Sequence, residues 1–206
     1  MYRQYPRWTY RPSKTGVRLG NPIFHISWLG LVGTFSLFVF LSSLRSNLEI
    51  CRLDVNYGGS SGYGRKYIER LCGKWGVVDV QDSITAAQTL SSPPYDLIDK
   101  KRLIIRGGSA GGYTVLAALS TASDVKVFAG ATSFYGISDL AKLYEFTHKF
   151  ESKYAEKLVG GTPEEVPDVY KARSPIYHAD NIVIALLVSN IIPCTFFYVY
   201  LIFDRF

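Results

Sequence analysis

The stretch Arg106-Gly107-Gly108-Ser109-Ala110-Gly111-Gly112 constrains this chain more than any other. It contains a G-x-S-x-G pattern, with the apolar run 103–105 before it and the small and apolar residues 113–119 after it. A serine held on a sharp turn between a strand and a helix takes a strained backbone conformation, so the positions around it must carry little bulk. Gly107 and Gly111 meet that need. Such a turn lifts the Ser109 hydroxyl above a sheet rim, and the start of the following helix directs backbone N–H groups at developing negative charge. The pattern nominates Ser109 as a nucleophile and the Ala110 N–H as an oxyanion donor. A phosphate loop fits less well, because the Lys-Ser/Thr ending is missing. A dinucleotide turn also fits less well, since neither Asp124 nor Asp139 ends an apolar strand.

The surrounding sequence supplies a strand and a helix for that turn. Residues 53–56 read as the end of a short strand, and 57–64 (YGGSSGYG) as a glycine-rich loop opening a helix over 65–71. Val77, Val80, Ile84, Ala87 and Leu90 recur at helical spacing, until Ser91, Ser92, Pro93 and Pro94 break the pattern. The run 102–106 (RLIIR) predicts a strand, 107–112 a tight turn, 113–119 a helix, and 127–133 another buried strand. Strands alternating with helices predict an α/β fold, a parallel sheet wrapped by helices on both faces.

The formal charge of +6 does not mark a nucleic-acid-binding body. Arg3, Arg7, Arg11, Lys14 and Arg18 lie in the first 20 residues, which hold no acid, so the basic character belongs to a short arm. Residues 19–44 carry no charge and are long enough to span a bilayer; a second uncharged run covers 181–203, weakened as a span by Asn190 and Pro193. Cysteines at 51, 72 and 194 match neither a disulfide framework nor a zinc site, which suits a reducing compartment. No metal-ligand or cofactor motif is present.

The blocks DVNYGGSSGYGRKYIERL, GKWGVVDVQD, DKKRLIIRGGSAGGYT, FYGISDL, THKFESKY and RSPIYHAD occur in an order and at spacings that closely resemble the prolyl oligopeptidase family of serine peptidases, nearest to its acylaminoacyl-peptidase-like branch. The resemblance covers about 53–181. It implies an α/β-hydrolase fold, hydrolysis of peptide or acyl-aminoacyl bonds through an acyl-enzyme, a peptide substrate, and Ser109 as the matching nucleophile. It also sets Tyr135 and Phe150 where relatives place aromatics near the substrate pocket. An esterase or lipase of the same fold is a further reading, disfavoured by the peptidase-like blocks beyond the turn.

The family pattern breaks at both ends. The HGGP-like loop that relatives carry before NYGGS is missing, as are the β-propeller and the final strands with their triad Asp and His. The run 182–188 can be the strand that should lead to the Asp, but Ser189-Asn190-Ile191-Ile192-Pro193 follows it. His25, His148 and His178 are the available histidines, and none occupies the base position; Asp180 precedes that strand and Asp204 lies far beyond it. The expected organisation is a basic arm and apolar segment over 1–52, a partial peptidase domain over 53–188 and an apolar tail over 189–206. Two accounts of the ends stay open. One is a truncated gene model or splice form of a cytoplasmic, inactive enzyme fragment; the other is a membrane-tethered, non-catalytic binding or regulatory module on the same fold.

Overall fold

The computed structural model describes residues 25–26, 53, 55–96, 98–122, 126–146, 149–191 and 197–202. One sheet runs in chain order through β1 (His25–Ile26), β2 (Ile104–Gly108), β3 (Gly130–Phe134), β4 (Ala185–Ile191) and β5 (Phe197–Ile202). The first four strands are parallel, while β5 returns antiparallel along β4. The α-helices are α1 (Arg65–Ile68), α2 (Val78–Leu90), α3 (Ala110–Ser120), α4 (Leu140–Phe146), α5 (Lys149–Val159) and α6 (Pro167–Arg173).

α3 is the centre of the core. Its residues are buried from Gly111 to the end, as expected for a helix apolar on all sides and covered all round. It lies against β2 and β3, and α2 and the 3-10 segment Pro175–Asn181 pack on it. Ile105, Tyr113 and Val115 are wholly buried, and Leu119 and Leu186 nearly so. Each such aliphatic side chain contributes about 2 kcal/mol relative to exposure.

Strand and helix types follow the sequence reading, but their boundaries move. β2 begins two residues late because Lys100–Arg102 form a 3-10 turn, in which Asp99 Oδ1 accepts the Lys101 N–H at 2.9 Å. The predicted turn over 107–112 divides: Gly107 and Gly108 complete the strand, and Gly111 and Gly112 open α3. The strand expected over 182–188 becomes Ala185–Ile191, because Pro175–Asn181 coils first and the Asn181 amide donates to Ser120 O at 2.7 Å. Of 53–56, Leu53 makes a single bridge and 55–56 are irregular.

The membrane-spanning reading of 181–203 is corrected. That stretch contains β4 and β5, paired from Leu186↔Ile202 to Ile191↔Phe197. Its Val, Ile, Phe and Tyr residues suit a pleated surface as well as a lipid-facing helix, and a cross-strand ladder satisfies their backbone groups. No helix among the described residues is long and apolar enough to cross a membrane. Within 19–44, His25 and Ile26 are strand, and the rest of that run lies outside the described residues.

Candidate active site

Ser109 stands alone between β2 and α3 with φ 55° and ψ −123°, a combination that L-residues rarely adopt and that costs about 1–3 kcal/mol. Its N–H donates to Phe134 O at the tip of β3 (2.9 Å), and its carbonyl accepts the Tyr113 N–H at 3.0 Å as the first turn of α3 closes. The residue is half-buried, and its hydroxyl hydrogen-bonds to no described group. Ala110, the first helical residue, is half-buried too. Helix geometry gives its N–H no intrahelical acceptor, so that donor is available at the same rim as the hydroxyl.

The glycines explain why the bend can close. A Cβ on Gly107 would collide with the Gly111 backbone carbonyl, so position 107 must be bare. Gly112 is a further requirement. A Cβ there would lie 2.5 Å from Gly136 Cα and 2.9 Å from Phe134 O, so α3 and the loop after β3 touch backbone to backbone. Ser133 Oγ bridges the same junction by donating to Gly112 O at 3.1 Å.

Tyr135 is the second residue of this rim with positive φ (40°), and its N–H donates to Ser189 O at 2.6 Å. It is 41% exposed, and a methyl built on Gly108 would sit 3.0 Å from its Oη, so the ring covers the residue next to Ser109. Phe150 lies in the first turn of α5, and its side chain is outside the described residues. Arg106 stacks its guanidinium 4.5 Å from the Phe134 ring centroid, and burial lowers its pKa.

Behind the bend sits a buried carboxylate that the sequence reading did not single out. Asp79, on the first turn of α2, is wholly buried; it accepts the Gly76 N–H at 2.7 Å and the Thr114 hydroxyl at 2.6 Å, which fastens α2 to α3. Burial raises its pKa to about 6, against the opposing pull of those hydrogen bonds. Next along α3, Tyr113 packs on Trp75 with ring centroids 4.7 Å apart and donates to Arg173 O at 3.1 Å. Burial and the nearby Asp79 push the Tyr113 pKa well up, keeping it a donor. The available signal for Asp79 was an acid at the inward-facing end of an apolar helix stripe, GVVDV, one residue before Val80.

No described histidine reaches Ser109. His25 pairs with Ile104, five residues before Ser109, which is roughly 16 Å along the strand direction. His178 lies in the 3-10 segment whose end is tied to Ser120, and its Nε2 is buried without a hydrogen-bond partner among the described residues. His148, Asp124 and Asp204 lie outside the described residues. Asp139 accepts the Ala141 and Lys142 N–H groups at the start of α4, and Asp180 is exposed.

A serine on a strand-to-helix bend at the carboxyl rim of a parallel sheet, with helices packed around it, is the architecture of an α/β-hydrolase. The chain belongs to the prolyl oligopeptidase family, whose model matches residues 37–190. Over 157 residues it is 32% identical to inactive dipeptidyl peptidase 10 of Rattus norvegicus, which covers 75% of this chain and 16% of that protein. Dipeptidyl aminopeptidase BIII of Pseudoxanthomonas mexicana is 29% identical over 142 residues, covering 67% of this chain and 20% of that protein. Among solved structures, a puromycin-hydrolyzing peptidase from Mycobacterium tuberculosis aligns with TM-score 0.67 at 41% identity, over 85% of this chain and 26% of that one. The chain thus spans a fifth or less of the length of these two curated relatives.

Proposed function

We propose that Ser109 is the nucleophile of a serine-type peptidase site, attacking the carbonyl of a peptide or acyl-aminoacyl bond to form an acyl-enzyme. The supporting observation is the Ser109 backbone itself, φ 55° and ψ −123° on a bend that requires Gly107 and Gly112. In this reading the Ala110 N–H donates to the oxyanion, while Tyr135 and Phe150 border the residue before the scissile bond. The 53–188 segment is the peptidase unit.

This chain by itself is inactive or nearly so. An alcohol without a general base keeps its high pKa, and loss of triad members costs several orders of magnitude in rate. The Ser109 hydroxyl, which has no hydrogen-bond partner among the described residues, supports this, as does the printed name of the inactive relative. A fluorophosphonate probe tests it. Labelling should stay within background for the wild type and Ser109→Ala alike, whereas strong labelling abolished by Ser109→Ala would establish an active enzyme.

A second reading is a non-catalytic, membrane-tethered binding module on this fold, which the printed name of the inactive relative supports. Carbonate extraction of membranes separates the two, since release into the soluble fraction rules out the tether.

A further inference from the structure

At the opposite rim of the sheet, where β2 and β3 begin, a cavity of about 530 Å³ opens between the end of α2 and the segments leading into the two strands. Lys100, Lys101 and Lys126 stand on its wall, with Ser91 and Ser92 beside them and Leu103, Val127 and Phe128 beneath. The size is that of a small-molecule site. We propose that this cavity binds an organic oligophosphate of nucleotide size, its phosphates held by the three ammonium groups and its uncharged part resting on the apolar floor.

The charge pattern carries the argument. All three lysines are exposed, and none has an ion-pair partner among the described residues. Three like charges on one concave wall repel one another unless an anion joins them. Asp99, beside them in sequence, commits one carboxylate oxygen to the Lys101 N–H. The end of α2, whose free carbonyls would repel an anion, is blunted: Ser91 donates its N–H and its hydroxyl to Ala87 O (3.1 and 2.8 Å), and the hydroxyl also reaches Gln88 O at 3.2 Å. The floor is fixed, with the Ala129 N–H donating to Leu103 O at 2.7 Å, so the lysines stand on a rigid base. Lysine is a compact charge with three donors, suited to phosphate oxygens without demanding planar geometry. A ligand with three or more negative charges matches the wall.

Calorimetric titration of the full chain with magnesium-free ATP, with inorganic triphosphate as a second probe, tests the site. ATP should saturate one site with Kd at or below about 100 µM. The triple variant Lys100→Gln/Lys101→Gln/Lys126→Gln should bind both probes at least tenfold more weakly while melting at the wild-type temperature. Neutralising Arg3, Arg7, Arg11, Lys14 and Arg18 should change Kd by less than twofold. Absence of saturation below 1 mM, undiminished binding in the lysine variant, or loss of binding in the arm variant would each overturn the proposal.

Discussion

The two rims of the sheet are built by opposite means. At the carboxyl rim, Ser109 and Tyr135 hold positive φ, and Gly107 and Gly112 sit where any Cβ would strike backbone. At the amino rim none of the cavity's lining residues has positive φ, and the distinctive feature is three lysines with no ion-pair partner among the described residues. Strain is concentrated where one side-chain oxygen must be aimed, because only an over-determined backbone holds a residue in a poor conformation. Attraction through charge tolerates angstrom-scale error, so a relaxed surface suffices at the other rim. Substitutions should therefore be severe at the first rim and mild at the second.

Gly112→Val should give the largest effect. Its new side chain meets the Gly136 backbone and Phe134 O, neither of which can yield as a side chain would, and chemical denaturation should show a loss of about 3 kcal/mol or more. If the loss is small, the junction under the bend is looser than its contacts imply.

Asp79 sharpens the comparison through pH. Its folded pKa of about 6 is above the unfolded carboxylate value, so the folded state binds the proton more tightly. The resulting stabilisation is complete below the unfolded value and is lost as pH rises through 6. Between pH 4 and pH 7 the wild type should lose roughly 2 kcal/mol relative to Asp79→Asn, measured from urea unfolding of the two proteins. Parallel curves would mean that Asp79 stays ionised.

Ser109→Gly tests the strain directly. Glycine adopts φ 55° freely, so this variant should be more stable than Ser109→Ala by about 1 kcal/mol. Equal stability would remove strain from the contrast. Lys126→Gln should change folding stability least, by under about 0.5 kcal/mol in the same denaturation assay.

These contrasts also separate what could be read in the sequence from what could not. The bend was readable because its requirement is local: a serine between bare residues, entered by an apolar run. The α2 and α3 helices were readable from periodicity and small residues. The β4–β5 hairpin was not, because an uncharged run suits a lipid-facing helix and a cross-strand ladder equally until partners are known. Neither was the link from Asp79 to Thr114, whose residues are 35 positions apart and meet only once two helices cross. The positive φ of Tyr135 is likewise a tertiary effect, set by a strand tip 54 positions downstream that receives its N–H.

That last hydrogen bond belongs to a lacing of strand tips. Ser109 N–H is tied to Phe134 O, and the next residue, Tyr135, is tied through its own N–H to Ser189 O. A pull on the end of β4 is thus handed across β3 to the bend like tension through two stitches. Whatever the polypeptide does just past Ser189 can retune the aim of a hydroxyl eighty positions upstream without touching it.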